Sequence, residues 1–432
     1  MATEDARYRQ STQFRLWSFS PSQLSDLRSK TNALARANIS ERLLSSSSPS
    51  SSAANATPQL SGSNTPVPVP PASTASAPAP ADVDPAATAA ADRSVTQAQL
   101  PEFLTPAEEA RLLVFYTVEL LRAAAFCELP TDIRATAAVF LRRFYVTNSI
   151  MTYPPTELLK TCLFFGAKAE GFYTRLSRFA ENFPNTTGDE ILAGEFLLCQ
   201  GLRFAFDVKH PYRGLEGAIM ELRRYGDLDD RRVSAAHARA REILKFSPLV
   251  TDAYFHYSPS QIMLASLSLA DRGLVERLFQ ETFHHAPTPT DSGASTPAPN
   301  GHPATKHLMV ADKDKISGAE MRDKVMGAIE ACRDLLAAEP PERMTEYWGT
   351  PESNKVIKPL IKKLKKCRDP DRWDLVALQR ARREQALAKE SGSGKKTTVE
   401  DDGAVFDSGA DSRDAKRRKV SAGPEDPFGG PL

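Results

Sequence analysis

A surplus of charge is the first thing this chain lacks. Its 432 residues carry 55 Lys+Arg against 54 Asp+Glu, a formal net charge of +1, so no global field draws it to nucleic acid or to an anionic membrane. No apolar run approaches the roughly 18 residues of a membrane-spanning helix. Met1 to Arg15 is polar and has no apolar core of the secretory kind, so neither a membrane partner nor export is expected. Cysteine is scarce. Cys127, Cys162, Cys199, Cys332 and Cys367 are odd in number, and no two stand in C-x-x-C spacing. They are expected to be reduced, mostly buried small hydrophobes in an intracellular chain, and a four-ligand zinc site is excluded. The seven histidines form no H-x-x-x-H or H-E-x-x-H group. With no catalytic constellation and no phosphate loop, neither a cofactor nor an enzyme activity is expected.

Proline is abundant but unevenly placed. Ser45–Asp92 holds nine prolines and eleven serines and no aromatic, Lys or Arg residue. Such a stretch cannot bury enough apolar surface to offset its backbone entropy, and it is read as a disordered insertion. Ala286 to about Ala304 and the tail from Ser391 read the same way. The remainder reads as helices, with apolar residues recurring at three and four positions and no sustained strand-like alternation. Thr105-Pro106-Ala107-Glu108 is a capping box with proline at the first helical position, and Ser258-Pro259-Ser260-Gln261 is another. Further helices are expected over 135–146, 156–168, 176–183, 190–202 and 320–336. The fold class is all-α.

The chain also repeats itself. Tyr153-Pro154-Pro155-Thr156-Glu157-Leu158-Leu159 resembles Tyr257-Ser258-Pro259-Ser260-Gln261-Ile262-Met263, 104 residues on. The counterpart of 190–202 is displaced to 320–336 by the second Pro/Ser/Thr stretch. Two copies of one five-helix unit are expected, with an insertion in the last loop of the second.

Two charged residues stand out in apolar helical patterns. Lys168 lies one turn beyond Phe164 and Phe165, and Glu195 shares a face with Leu192, Cys199 and Leu202. A buried charge is costly unless paired, so a Lys168–Glu195 pair pinning the third helix to the fifth is one reading. Phe164 and Phe165 are adjacent and cannot share a helix face, so one is expected inside and the other facing a partner. Arg142 and Arg143 are expected on a solvated face. Near the N-terminus, Tyr8, Phe14, Leu16, Trp17 and Phe19 form either a helix tucked onto its own domain or a partner contact, with Trp17 and Arg15 as anchors. Lys358 to Lys366 suits a basic amphipathic helix packed on the body with its lysines in water. Lys416-Arg417-Arg418-Lys419 is a short basic run that a nuclear import receptor could read.

Several stretches resemble the cyclin H family, the regulatory subunits of the cyclin-dependent kinase carried by the transcription factor TFIIH. They are Tyr8, Ser11, Gln13, Arg15, Trp17 and Phe19 near the start; Arg143-Phe144-Tyr145, Asn148-Ser149, Met151 and Tyr153 in the first repeat; and Pro211-Tyr212-Arg213, Glu216-Gly217, Thr251-Asp252-Ala253-Tyr254, Tyr257 and Pro259-Ser260-Gln261-Ile262 in the second. The resemblance covers about 8–42 and 100–285 well, is weaker over 315–390, and is absent from the low-complexity segments.

The resemblance implies two tandem cyclin boxes with flanking helices. The expected layout is an N-terminal helical segment 1–44, an insertion 45–98, a first box 99–209, a second box 210–338 with an insertion at 286–312, a C-terminal helical segment 339–390 and a tail 391–432. It implies a non-catalytic subunit in the nucleus that binds and activates a cyclin-dependent kinase, with an assembly factor and, through the complex, core TFIIH as further partners. It makes Lys168 and Glu195 contacts to the kinase, with Phe164, Phe165, Tyr8, Arg15 and Trp17 as further candidates. The implied output is phosphorylation of the RNA polymerase II C-terminal repeat and of other cyclin-dependent kinases. In the family a second acidic residue often follows the lysine; here Ala169-Glu170-Gly171 shifts or removes it. The alternatives are another transcriptional cyclin, or a tandem-box general transcription factor that binds DNA. The second is disfavoured by the missing zinc ribbon and the neutral charge.

Overall fold

Thr105 and Ser258 show how local chemistry starts this fold. In the computed structural model each hydroxyl accepts the backbone N–H three residues on, and Glu108 or Gln261 returns the bond to the cap's own N–H. With proline at the first helical position, both starts are fixed before any tertiary contact forms.

The structure describes residues 4–47, 100–284, 318–337 and 348–392, and every regular element among them is helical. The insertion read over 45–98, apart from its first three residues, lies outside the described residues. So do 286–312 and the tail from 393, with its basic run at Lys416–Lys419. The N-terminal segment comprises α1 (Glu4–Gln10), α2 (Thr12–Trp17) and α3 (Pro21–Ser47). The first repeat follows as α4 (Pro106–Phe126), α5 (Thr131–Thr147), α6 (Pro155–Ala169), α7 (Leu176–Ala180), α8 (Gly188–Ala193) and α9 (Glu195–Gly201). The second is α10 (Tyr212–Arg224), α11 (Asp230–Val250), the single turn α12 (Ala253–His256), α13 (Pro259–Ala270), α14 (Arg272–His284) and α15 (Gly318–Ala337). Then come α16 (Pro351–Cys367) and α17 (Leu375–Gly392). The described residues up to Gln379 form one compact unit; from Arg380 on, the described residues 380–392 complete α17.

The two copies match helix for helix. α5 and α6 are the inner pair of the first, and α11 and α13 of the second, with α6 and α13 both opening on proline. Inner helices are apolar all round because they are covered all round. Every residue of α5 from Ala135 to Val146 is buried, and this corrects the expectation for Arg142 and Arg143. They are 5 % and 1 % exposed because α5 meets α3 on one side and the second repeat on another. The fifth helix of the first repeat is also not continuous. It breaks at Gly194, where a Cβ would stand 2.8 Å from the Thr161 hydroxyl. That hydroxyl donates to the Ile191 carbonyl at 2.8 Å and ties α8 to α6.

A charged seam joins the repeats. Asp252, just before α12, accepts from Arg142 at 2.6 Å and, through both oxygens, from Arg28 of α3 at 2.7 and 2.8 Å. One carboxylate thus ties three segments far apart in the chain. Burial opposes ionisation of Asp252, but the Arg28 hydrogen bond and the charges of Arg142, Arg28 and His256 overcome it and hold the carboxyl well below the usual range. Beside it, His210 lies between the Thr136 hydroxyl and the Tyr254 phenol, each at 2.8 Å. Thr136 donates to Glu170 at 2.5 Å, so its oxygen is left to accept from the His210 Nε2–H while Tyr254 donates to Nδ1. This is a neutral imidazole, and burial with the nearby Arg143 charge pulls its pKa down to about 3.

The flanking helices close over the first repeat. Asn32 of α3 donates to the Leu104 carbonyl at 2.8 Å, and Thr31 to Val146 at 3.0 Å. α16 lays Ile357, Leu360 and Leu364 inward, and Trp348 ahead of it packs on Phe115 with ring centroids 5.7 Å apart.

Candidate partner-binding site

The last turn of α6 and the first of α9 come together at the surface of the first repeat. Lys168 Nζ stands 2.5 Å from Glu195 Oε1, with side chains 43 % and 22 % exposed. The same ammonium lies 5.5 Å from the centre of the Phe164 ring, an attraction between a cation and the ring face. The pair bridges third and fifth helices, but on the outside. Lys168 faces water because α6 outruns the helices that cover its earlier turns, all of which are buried from Thr161 to Ala167.

The expectation for the two adjacent phenylalanines is corrected. Phe164 and Phe165 are both buried, at 7 % and 8 % exposure. Their faces do diverge, but neighbours cover both: Phe164 packs on Phe179 at 5.5 Å, and Phe165 on Phe206 at 4.9 Å and Phe140 at 5.8 Å. Neither ring is presented to a partner. Glu170 points back toward Thr136 instead of extending the Lys168 charge pattern outward.

Trp17 is corrected as well. Its indole is fully buried, held between the guanidinium groups of Arg143 at 5.3 Å and Arg203 at 5.4 Å. Among the described residues, neither its Nε1–H nor the Arg143 Nη1 has a hydrogen-bond partner. The desolvated Arg143 guanidinium has its pKa pushed down to about 10. The indole therefore serves the chain's own seam. Gln13 next to it accepts from the Lys209 N–H at 2.6 Å, and the Phe19 N–H donates to Phe255 at 2.8 Å, so the segment is stapled to the second repeat as well. Tyr8 is half-buried, its ring 5.7 Å from Phe14 edge-on. Burial raises its phenol pKa, against the Ser18 hydrogen bond and the Arg143 charge. Arg15 is exposed.

Sequence reasoning missed the apolar part of this surface. Phe196, beside Glu195, is 57 % exposed; Phe204, just past α9, is 62 %; Phe172 and Tyr173, just past α6, are 43 % and 84 %. Several large exposed aromatics near the ends of α6 and α9 mark an interaction surface more than isolated ones do. Phe204 is turned out by the backbone: Arg203 and Phe204 both adopt left-handed φ, +55° and +54°. That conformation is unfavourable for residues with a Cβ, and it is held by the Phe204 N–H bonding the Cys199 carbonyl at 3.0 Å and by Arg203 lying on Trp17. Gly201 permits the approach, since a Cβ there would run into the Phe144 ring of α5. The N-terminal segment thus reaches the far end of α9 through Arg203, while exposed Phe196 stands next to Glu195 in the chain and exposed Phe172 and Tyr173 follow the α6 end that carries Lys168.

Two tandem five-helix repeats, with helices from both ends packed on the first, define a two-box cyclin architecture. The comparisons agree. A family described as the cyclin C-terminal domain matches residues 210–337. Cyclin CCL1 of Saccharomyces cerevisiae is 30% identical over 284 residues, 65% of this chain and 62% of that protein. Cyclin-H of Xenopus laevis is 35% identical over 182 residues, 39% of this chain and 54% of that protein. The match thus spans less than two thirds of either curated relative. A solved chain from the CAK complex of Chaetomium thermophilum bound to ATP-gamma-S is 50% identical, covering 93% of this chain and 100% of that one, with a TM-score of 0.68. The chain belongs to the cyclin family and is of the cyclin H type.

Proposed function

We propose that the chain is the non-catalytic cyclin subunit of a TFIIH-type kinase complex in the nucleus. In this reading it binds and activates a cyclin-dependent kinase, joins an assembly factor, and supports phosphorylation of the RNA polymerase II C-terminal repeat and of other cyclin-dependent kinases. The observation that carries it is the solvent-facing Lys168–Glu195 pair at 2.5 Å, with exposed Phe196 next to Glu195 in the chain, exposed Tyr173 just past α6 and exposed Phe204 past the far end of α9. Aromatic anchors supply most of the energy of a protein interface, while a partly solvated charge pair fixes orientation. Arg15 and the exposed edge of Tyr8 extend the same surface in this reading; Trp17 supports it from beneath.

The mechanism is a population shift. A kinase alone samples an arrangement in which its regulatory helix is displaced and its internal Lys–Glu pair is broken. A rigid helical surface that fits only the aligned arrangement draws the kinase to it. Reversing a 1:99 population to 99:1 requires about 5.5 kcal/mol of differential binding, which a protein interface of ordinary size supplies. No nucleophile, metal or phosphate loop on this chain takes part.

The test is to mix the purified chain with a TFIIH-type kinase and measure peptide phosphorylation. Strong stimulation is expected, reduced at least about tenfold by the double substitution Lys168→Ala with Glu195→Ala, and reduced further when Phe204→Ala is added. Binding of promoter DNA without kinase stimulation would sink the proposal.

A further inference from the structure

The basic helix near the C-terminus remains outside this picture. α16 buries Ser353, Ile357, Leu360, Leu364 and Cys367 against the body. Its opposite face carries Lys355, Lys358, Lys362, Lys365 and Lys366, all exposed, and Arg368 follows directly. Steps of three and four residues put these lysines in one row. The row is about 16 Å long at 1.5 Å of rise per residue.

The rest of the chain shows what an ordinary solvated helix face looks like. Many exposed cations there are matched by a carboxylate within their own helix, as in Arg122 with Glu119, Arg224 with Glu221, Lys245 with Glu242 and Arg272 with Glu276. On α16 that pattern is missing. Lys358 and Lys362 have no acidic residue three or four positions away, and their neighbours at that spacing include Lys355, Lys365 and Lys366. Asp369, the one carboxylate within reach of Lys365 and Lys366 along the chain, is buried and bound to Arg42. Like charges at this spacing destabilise a helix, so the row is not explained by the fold it sits on. Lys363 supplies the contrast: it turns toward the body and binds Glu102 at 2.5 Å and Glu108 at 2.9 Å.

We propose that the outer face of α16 is a docking surface for an acidic polypeptide segment. The width of the row selects this partner over nucleic acid. It is one helix wide and bordered by carboxylates: exposed Glu352 at its start, Asp371 and Asp374 beyond its end, and Glu102 on its flank, 84 % exposed. A duplex about 20 Å across, laid on the lysines, would bring its phosphates against those acids, whereas a single extended or helical acidic chain fits between them. The row has no exposed aromatic on which a base could stack. Lysine ammonium groups are mobile point charges without the fork geometry of arginine, so the contact tolerates sequence variation in the partner and weakens with salt.

The full chain is titrated, by fluorescence anisotropy, with a labelled oligoglutamate peptide of about twelve residues, long enough to span the row, and with a labelled DNA duplex of the same net charge. The expected result is peptide binding that weakens between about 50 and 200 mM salt, with the duplex bound more weakly. Replacing Lys358, Lys362, Lys365 and Lys366 by Gln should weaken peptide binding at least about tenfold without lowering the melting temperature, because like-charge neighbours are removed. If that variant unfolds, Lys362→Glu alone serves and should weaken the peptide complex in the same direction. Equal binding by the folded variant, tighter binding of the duplex than of the peptide, or no peptide binding at low salt overturns the proposal. Kinase stimulation is expected to be unchanged in all of these variants, so the result is independent of the activating role.

Discussion

Two ion pairs in this chain look alike on paper and differ in how deeply their cations are buried. Asp252 with Arg142 and Arg28 sits where three segments meet; Asp252 and Arg28 keep 28 % and 21 % exposure, but the Arg142 side chain is only 6 % exposed. Lys168 with Glu195 sits at the rim, 43 % and 22 % exposed. Charges removed from water have lost their hydration, so the fold depends on the bonds that replace it; charges left in water have not. The first pair therefore belongs to the architecture, and the second contributes little to it. The second repeat repeats the lesson. Arg272, 104 positions beyond Lys168, opens the fourth helix α14 and reaches Glu330 of the fifth at 2.9 Å. Each copy thus carries a surface bridge to its fifth helix, from the end of the third helix in one and the start of the fourth in the other. Among the described residues, only the first copy sets exposed phenylalanines on and just past the helix that carries the acidic partner, at 196 and 204.

The seam gives the largest expected effect. Asp252→Ala strips the carboxylate from two guanidinium groups at once, and a broken buried pair costs about 3 kcal/mol or more. Chemical denaturation of the purified chain should show that loss, and a loss below about 1 kcal/mol would mean that the seam is no more than a surface contact. His210 gives the next. Its folded pKa of about 3 lies below the value near 6.5 expected of the unfolded chain. Between those values the unfolded state holds the extra proton, so stability is fully present above about pH 6.5 and is lost as the pH falls toward 3. The slope approaches about 1.4 kcal/mol per pH unit. His210→Gln removes that term, so subtracting its stability curve from the wild-type curve between pH 7 and about 4.5 isolates it. A flat difference would show that the imidazole is protonated inside the fold.

How much of this was legible beforehand depended on whether the cause was local. The capping boxes at Thr105 and Ser258 are four-residue events, and both helices start where those residues say. The repeat was legible because inner helices keep their proline starts. The pairing of Lys168 with Glu195 was legible as a pairing, since two charges in apolar patterns need each other. Arg142 and Arg143 were not: two arginines at the end of an apolar helix look like a solvated edge, and only distant segments, the second repeat over Arg142 and the N-terminal Trp17 over Arg143, make them core. Phe164 and Phe165 misled for the same reason, since a helix covered on several sides has no outward face for either ring. The exposed Phe204 was hidden by a different cause. An aromatic next to a helix is read as core, and nothing in Arg203-Phe204 announces two consecutive left-handed residues.

The smallest expected effect on stability separates the two pairs most cleanly. With Lys168 more than two fifths exposed, solvent screens the attraction, and pairs of this kind contribute about 0–1 kcal/mol. Lys168→Ala and Glu195→Ala, singly or together, should therefore shift the denaturation midpoint only slightly, by no more than about 1 kcal/mol, while the same double variant loses kinase stimulation. The Arg272→Ala and Glu330→Ala pair should be equally mild in stability and, lacking the exposed phenylalanines of the first copy, should leave stimulation of the isolated kinase intact. Were the Lys168 and Glu195 variants to lose several kcal/mol instead, their lost activity would report damage to the first repeat and not the removal of a contact, and the division between a structural seam and a functional rim would fail.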